Sequence, residues 1–321
     1  MTAPQEPLGA DGKPDDLGSA PTEAASKSDR RRQTAESFDQ PVSDELSGEP
    51  LHVFTAGTSP VSDFGGYLRG VWSRRRFMLQ MAQADLNQKR SKTALGGLWD
   101  LLDPIFQAGI YYLLFTIIRS GGRPDDFIPT LFGSILLFQL TTSALTAGGN
   151  SMRSSSALML NSTFPRAVLP LSRILSGLLS LRLGAVVYLA FAVIMGSDFT
   201  LAWLWFPLLF TLNMLLMMGL AFGASTLIVF VPDVKNAMPY ITRLLFFTTP
   251  VFYPVEILPE KMAEYLQWHP LFRLFVSYQR MMSGEMPFGT DIVGAAIWAV
   301  ALFLVGSYVF LRYEREFASR L

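Results

Sequence analysis

Cysteine is absent from the 321 residues of this chain, and only two histidines occur. Without cysteine the protein can form neither disulfide bonds nor thiolate metal sites. His52 and His269 are far apart in the sequence and have no neighbours of the kind that bind metals. We therefore expect structural roles for both histidines, and neither a metal nor a cofactor in this chain.

Charge is also scarce: charged residues make up 16 % of the chain, whereas hydrophobic residues make up 50 %. Three long stretches carry no charge at all, namely 127–152, 199–232 and 292–311. Each is near or above the roughly 18 to 20 residues that a helix needs to cross a bilayer. The composition excludes an ordinary soluble domain and predicts a polytopic, all-α membrane protein.

Groups for covalent or proton-relay chemistry are missing as well. The carboxylates of the apolar segments are few, with Asp100 and Asp103 at the start of the first of them. A chain of intramembrane acids or histidines, as in an ion-driven transporter, is not found in the sequence. GADGK at 9–13 lacks the spacing of a phosphate-binding loop. If the protein moves a substrate uphill, another chain must supply the energy.

The N-terminal segment 1–60 differs from the rest in composition. It holds eleven acidic and five basic residues, a net charge of −6, so the remaining residues carry +6. Rich in Pro, Ser, Ala, Gly and Asp, it has too few large apolar side chains to bury a core of its own. We predict that 1–60 is a disordered acidic tail in the cytosol.

The following segment, 64–92, combines seven basic residues with a single acid, Asp85. Apolar and aromatic side chains recur in it at near-helical spacing, which favours an amphipathic helix lying in the cytosolic headgroup layer of the membrane. A solvated linker helix is the alternative. The residues expected to face the lipid headgroups are Arg69, Trp72, Arg74, Arg75, Arg76 and Phe77.

The apolar blocks predict six membrane-spanning helices. These are 95–119, 127–147, 174–195, a fourth that ends near Val231, a fifth around 236–255, and 292–311. The fifth is the least regular, because only twelve uncharged residues separate Arg243 from Glu256 and two of them are prolines. We predict a full but broken helix there. The amphipathic segment 256–287 either re-enters the membrane or lies on its far surface.

The distribution of basic residues predicts the orientation. Six spans place both termini on one side, together with the loop 148–173. That side carries more lysine and arginine than the other, so the positive-inside rule places both termini and the loop in the cytosol.

Arg182 is the exception among the spans, because it lies well inside the third one. An ionisable group at that depth costs at least about 2 to 3 kcal/mol unless it is paired or hydrated. Its long side chain either reaches towards the cytosolic surface or pairs with Asp100 or Asp103. Of these possibilities, we predict that Arg182 pairs with Asp103.

Four stretches of the sequence carry a family resemblance. They are ALGGLWDLLDPIF (94–106), TFPRAVLPLSRI (163–174), PDVKNAMPYITRLLFFTTPVFYP (232–254) and YEREFASRL (313–321). In order and spacing they resemble the membrane subunit of ABC-2 type exporters of the O-antigen, capsule and teichoic-acid kind. Residues 95–321 would form the ABC-2 type transmembrane domain. Pro232-Asp233 stands where many relatives have Arg-Asp, which puts any role of that arginine in doubt here.

The resemblance implies a homodimer joined to two copies of a cytosolic ABC ATPase, which would bind the ATP and Mg²⁺. It implies a location in the cytoplasmic (inner) membrane and no contact with nucleic acid. The cargo would be a glycan built on a polyprenyl-diphosphate lipid, threaded between the two membrane subunits.

In such exporters the cytosolic loop between the second and third spans forms a short helix that docks on the ATPase. Phe164-Pro165 would end that helix, because the residue before a proline is pushed out of helical geometry. Arg166 and Arg173 would anchor the return at the headgroups. A basic cytosolic loop without a partner is the alternative. The expected coupling residues are Arg153, Leu158, Asn161, Phe164, Pro165 and Arg166.

Aromatic residues of the first and fifth spans are the candidates for the passage itself. A glycan presents C–H faces that can stack on rings, so a sliding route should be rich in aromatics and poor in fixed charge. Interfacial or lipid-facing aromatics are the alternative. The candidates are Tyr111, Tyr112, Phe115, Phe246, Phe247, Phe252 and Tyr253.

Two other functions are compatible with the sequence: an ABC-2 exporter of a small drug or lipid, and an integral membrane enzyme or scaffold that needs no ATPase. Co-purified cargo would separate the first from a glycan exporter. The absence of an ATPase gene beside this one would favour the second.

Overall fold

The computed structural model describes residues 64–118, 127–161, 164–197 and 199–320, and all regular structure in these ranges is helical. The predicted tail, 1–60, lies outside the described residues. The helices are α1 (Phe64–Ser73), α2 (Arg75–Ser91), α3 (Trp99–Ile118), α4 (Phe127–Ser143), α5 (Ser151–Ser154), α6 (Ser156–Asn161), α7 (Val168–Ile194), α8 (Phe206–Phe230), α9 (Val234–Thr248), α10 (Glu260–Leu266), α11 (Phe272–Met282), α12 (Gly289–Tyr313) and α13 (Phe317–Arg320).

Four helical segments of the described chain are long and apolar enough to cross a membrane: Phe127–Gly148, Val168–Ile194, Leu201–Phe230 and Gly289–Arg320. They coincide with the predicted second, third, fourth and sixth spans. The first of these segments is α4 continued by a π-helix, Ala144–Gly148. Because the predicted first and fifth spans are not among the four, the count of six stays a prediction.

The predicted first span corresponds to α3, a helix of 20 residues. At about 1.5 Å per residue it measures about 30 Å, close to the thickness of a bilayer core. Pro104 lies in its first turns, and the side chains of Ile110 and Leu113 are exposed. α3 therefore has the length of a span and a large apolar surface on one side.

The fifth span was predicted as a full but broken helix, but the structure ends it early. α9 has only 15 residues, about 22 Å, which is too short for a bilayer core. Thr249 precedes a proline and adopts an extended conformation, with φ −101° and ψ 135°, so the helix cannot continue. The chain then turns through 250–258 instead of running on.

The segment 256–287 forms two helices with opposite surroundings. α10 has no buried residue among those described. α11, in contrast, buries eight of its 11 residues, and Phe275, Tyr278 and Met281 are completely inaccessible. These side chains belong to the same core as those of α4 and α8. We expected this segment either to re-enter the membrane or to lie on its far surface. The burial of α11 agrees with the first expectation.

The closest helix contact joins α8 and α12 through two glycines. A Cβ atom on Gly219 would overlap the backbone of Leu302, and one on Gly306 would overlap the backbone of Gly219. Gly223, which shares a small-residue spacing with Gly219 in the sequence, has open space around it. Of Gly219 and Gly223, it is therefore Gly219 that serves as a contact point of the kind that small residues provide in membranes.

Candidate coupling, interfacial and passage sites

The segment predicted as one interfacial helix consists of two helices, α1 and α2, separated at Arg74. The Trp72 side chain is 69 % exposed, and the guanidinium of Arg75 lies 5.6 Å from the centre of its ring. Phe77 is also exposed, as are Arg69 and Arg76. Of the six predicted interfacial residues, only Arg74 is half-buried. The basic and aromatic side chains thus share an outward face.

Asp85, the single acidic residue of α2, attaches the inner face of this helix to α7. Asp85 forms a salt bridge with Arg173 of α7, accepts a hydrogen bond from the Ser176 hydroxyl at 2.9 Å, and lies 3.0 Å from the Lys89 ammonium. The Asp85 and Arg173 side chains are only 9 % and 16 % exposed. Although burial opposes ionisation, the hydrogen bonds and charges of Lys89, Ser176 and Arg173 lower the pKa of the Asp85 carboxyl. Arg173 therefore pairs within the protein, and not with lipid headgroups as we expected.

The predicted coupling loop contains the short helices α5 and α6, and its last part packs against other segments. The ring of Phe164 lies 5.9 Å from that of Phe77, between centres. Pro165 lies so close to Gly70 that a Cβ on the glycine would be 3.3 Å from its ring. Arg153, in contrast, is exposed, whereas Leu158 is half-buried. The side chain of Asn161 lies outside the described part of the chain.

Arg166 also has a partner inside the protein. Its backbone N–H donates to Oε1 of Glu314 at 2.8 Å, and its guanidinium donates to the Glu314 carbonyl. The Tyr67 hydroxyl accepts from the backbone N–H of Ala167 at 3.2 Å. Burial and the neighbouring Glu314 carboxylate raise the pKa of Tyr67. This cluster binds one nitrogen of the half-buried Arg166 guanidinium. A contact of Arg166 with headgroups stays a prediction.

Neither Tyr67 nor Glu314 was identified from the sequence. Glu314 lies 148 residues from Arg166, and no local pattern connects them. Asp85 had a usable signal, since it is the only acid in a strongly basic segment. A lone opposite charge in such a segment needs a partner once it is buried.

The aromatic residues of the first and fifth predicted spans come together, as a continuous cluster. Phe246 stacks on Phe252 with ring centres 5.2 Å apart and planes at 10°. Tyr111 of α3 lies 4.8 Å from Phe246 and 5.2 Å from Phe252. Phe247 and Tyr253 meet the Phe252 ring edge-on at 5.9 and 4.9 Å. Five of the seven predicted passage residues therefore form the aromatic cluster: Tyr111, Phe246, Phe247, Phe252 and Tyr253.

Of the two other candidates for the passage, Tyr112 lies elsewhere and Phe115 is not described. Tyr112 faces an apolar cavity of about 320 Å³ between α3, α4 and α7, lined also by Ile128 and Phe191. The side chain of Phe115 lies outside the described residues. Within the aromatic cluster, Phe246 is buried, whereas Phe247 is 54 % exposed. Only part of the cluster therefore offers ring surface to a ligand.

The structure does not form the predicted pair of Arg182 and Asp103. Arg182 is exposed and donates from Nε to the carbonyl of Leu179 in its own helix, at 3.3 Å. Asp100, the other candidate partner, is bound by Arg90 at 2.8 Å. The prediction was wrong because an exposed guanidinium does not need a buried partner, as the alternative of a surface-seeking side chain implies.

Groups of three or more possible metal ligands do not occur in the ranges that the structure describes. What these ranges do contain is a bundle with four candidate spans, an outward basic face and an internal aromatic cluster. This combination defines a polytopic membrane protein. The chain belongs to the ABC-2 type transporter family, whose profile matches residues 77–283.

Several curated relatives resemble most of the chain. The O-antigen export system permease protein RfbA of Klebsiella pneumoniae is 25 % identical over 246 residues, 76 % of this chain and 94 % of the relative. RfbA of Myxococcus xanthus is 24 % identical over 257 residues, 79 % of this chain and 98 % of the relative. The polysialic acid transport protein KpsM of Escherichia coli is 23 % identical over 229 residues, 69 % of this chain and 87 % of the relative.

Proposed function

We propose that this chain is the membrane-spanning subunit of an ATP-driven exporter that moves a polyprenyl-diphosphate-linked polysaccharide out of the cytosol. The family membership and the relatives named for O-antigen export and polysialic acid transport support the class of cargo. The observation that carries the proposal is the aromatic cluster between α3 and the bend after α9. Stacked rings suit a polymer that must slide and must not bind tightly at one point.

Two such chains would form the complete passage. α3 and α9 both leave large apolar side chains exposed: Ile110 and Leu113 on the first, Leu244 and Phe247 on the second. A second copy would cover part of these faces and place two aromatic clusters around one route. A symmetric pairing is the commonest way in which identical chains associate.

Two copies of a cytosolic ABC ATPase would supply the energy, with ATP and Mg²⁺ bound there. The loop between α4 and α7 supports this partner, because its short helices α5 and α6 expose Arg153 while Phe164 and Pro165 fix the far end of the loop against α1 and α2. A loop held in this way could transmit a conformational change of the ATPase to the membrane-spanning helices. The outward face of α1 and α2 would rest on anionic headgroups.

This arrangement requires cytosolic termini and a cytosolic loop 148–168. The natural absence of cysteine allows a direct test with single cysteines and an impermeant thiol reagent. We expect Ser154→Cys to be labelled only after the membrane is opened. Tyr265→Cys, at a side chain 80 % exposed on the opposite side, should be labelled in intact cells. The reverse pattern would contradict the orientation.

The function itself is tested by removing the gene. We expect the polymer to disappear from the cell surface and its lipid-linked form to accumulate in the cytosolic leaflet, with recovery when the wild-type chain is restored. Unchanged surface polymer would refute the proposal. Recovery of a small drug or lipid as the cargo that co-purifies would favour the other class of ABC-2 exporter.

A further inference from the structure

A second feature adjoins the aromatic cluster: a half-polar cavity of about 220 Å³ between the start of α4, the bend after α9, and α11. Phe252 and Tyr253 belong to both the cluster and the cavity. The polar wall is formed by Thr130, Gln279, Arg280, Ser283 and Glu285. The side chain of Glu285 is 61 % exposed, so the wall extends to the protein surface.

Two groups of this wall are buried and have no hydrogen-bond partner in the part of the chain that the structure describes. They are the hydroxyl of Thr130, a residue only 9 % exposed, and the Nη1 nitrogen of Arg280. The Gln279 amide, in contrast, is satisfied by the carbonyls of Pro250 and Tyr253, at 2.7 and 3.1 Å. Unpaired buried polar groups are costly and uncommon in native proteins. A polar ligand that enters the cavity would supply the missing partners.

The charge of the wall indicates what kind of ligand would bind. The other terminal nitrogen of Arg280 lies 2.9 Å from a Glu285 oxygen, so its positive charge is offset. Its guanidinium also lies 3.5 Å from the centre of the Phe288 ring. A neutralised arginine with a spare donor, a hydroxyl and nearby rings match a neutral, hydroxylated ligand with apolar C–H faces better than they match an anion.

We propose that this cavity is a sugar-binding subsite at the far-side end of the aromatic cluster, where it holds one neutral sugar unit of the passing glycan through Thr130 and Arg280. The inference rests on the proposed function and deepens it. The cavity is smaller than the roughly 300 to 1,000 Å³ of ordinary ligand pockets, which limits it to a single small unit. Weak binding at such a point would discourage backward sliding of the polymer.

The test uses the purified full-length chain in detergent, without an ATPase, and saturation-transfer NMR with four probes. These are the methyl glycosides of mannose, galactose, rhamnose and N-acetylglucosamine. We expect saturation transfer to at least one probe, and an affinity about three- to tenfold weaker in Thr130→Val and in Arg280→Gln, the loss of one hydrogen bond each. The matched control is Thr226→Val, whose buried hydroxyl binds only the Phe222 carbonyl of its own helix.

Thermal unfolding separates a binding role from a structural one. Because the Thr130 hydroxyl has no hydrogen-bond partner among the described residues, Thr130→Val should keep or raise the melting temperature. A lower melting temperature would show that the hydroxyl holds buried water or a structural bond, and would overturn the proposal. So would the absence of transfer from all four probes, unchanged binding in Thr130→Val, or displacement of the sugar by inorganic phosphate, which would define an anion site.

The two proposals fail in different experiments. Normal surface polymer in cells without the chain would refute glycan export, whatever the isolated protein binds. Lost export in those cells together with no sugar binding by the purified chain would refute only the subsite.

Discussion

Two regions of this protein are held together by different interactions. Where α1 and α2 meet α7 and the C-terminal segment, an apolar core that includes Val71 and Val168 is joined by ionic and hydrogen-bonded contacts between distant parts of the chain, as in Asp85 with Arg173 and Arg166 with Glu314. Where α3 meets the bend after α9, the contacts are almost wholly aromatic, around Phe252. The first region fixes a few atoms in one geometry, whereas the second spreads its contacts over many weakly directional ring pairs.

This difference fits the two tasks that we propose. The ionic region joins the helices expected at the headgroups and the coupling loop to the spans, so it must transmit movement without slipping. The aromatic region must let a polymer pass, and a surface of rings presents no single strong binding point. Substitutions that affect one region should therefore have a different signature from those that affect the other.

The largest effect is expected in the ionic region from Arg173→Met. The change leaves the buried Asp85 carboxylate with Lys89, whose side chain is 60 % exposed, as its remaining charge partner. Breaking a buried pair costs up to about 3 to 5 kcal/mol. The double variant with Asp85→Leu should regain part of that loss, because the stranded charge is removed too. Thermal unfolding of the purified protein measures both, with the exposed Arg76→Met as control.

The pH dependence of stability provides a second test of the Asp85–Arg173 pair. The folded-state pKa of Asp85 is lowered, so its contribution to stability is present above its unfolded pKa, about 3.9, and is lost as the pH falls through the folded value. The stability difference between wild type and Asp85→Asn should be constant from about pH 8 to pH 5 and shrink below about pH 4. Purely additive losses in the double variant would contradict the pairing.

In the aromatic region, two neighbouring residues should behave differently. Phe246→Ala removes a buried ring that touches several others and should cost up to about 3 to 5 kcal/mol of stability. Phe247→Ala removes a ring that is 54 % exposed and should cost much less, yet slow polymer export. Surface polymer per folded chain is the measurement, and Leu189→Ala, at an exposed apolar side chain of α7, is the control. Wild-type export by Phe247→Ala would remove that residue from the passage.

The two regions also differed in how far the sequence could predict them. The seven aromatic residues were chosen as rings on which a glycan could stack, and the structure brings five of them together. Their role in a passage stays a prediction. Which of these residues join the cluster was not predicted. Tyr112 lines a separate cavity, because consecutive residues of a helix point in directions about 100° apart. Long apolar blocks with little or no charge are a local property of the sequence, which explains the agreement for the four candidate spans.

The polar contacts between distant segments could not be predicted from the sequence, and the reason is physical. A hydrogen-bonded contact such as that of Arg166 and Glu314 depends on where two segments 148 residues apart meet, which no local pattern encodes. The early end of α9 is different, since Thr249 before Pro250 and the later Pro254 were visible in the sequence. The prediction extended the fifth span through both prolines as a broken helix, whereas the helix ends at Thr248, directly before the residue that precedes Pro250.

A smaller effect is expected at the coupling loop. Phe164→Ala removes the ring contact with Phe77 and should lower stability by about 1 to 3 kcal/mol. Arg153→Ala changes an exposed side chain, so stability should stay within about 0.5 kcal/mol while ATPase stimulation by the membrane subunit falls. Thermal unfolding and ATP hydrolysis by the assembled complex separate the two. Full stimulation with Arg153→Ala would argue against this residue in the ATPase contact.

The smallest effect should come from Arg182, which in sequence terms was the most conspicuous charge in a span. Its guanidinium is exposed, and its hydrogen bond goes to Leu179 of the same helix. Because no buried carboxylate depends on it, Arg182→Gln should change stability by no more than about 0.5 kcal/mol. Thermal unfolding in detergent and in anionic lipid bilayers measures this change, with Arg173→Met as the contrasting variant. A loss in bilayers alone would mean that the guanidinium binds lipid phosphates, whereas a loss of several kcal/mol in both media would require a buried partner and would contradict the structure at this residue.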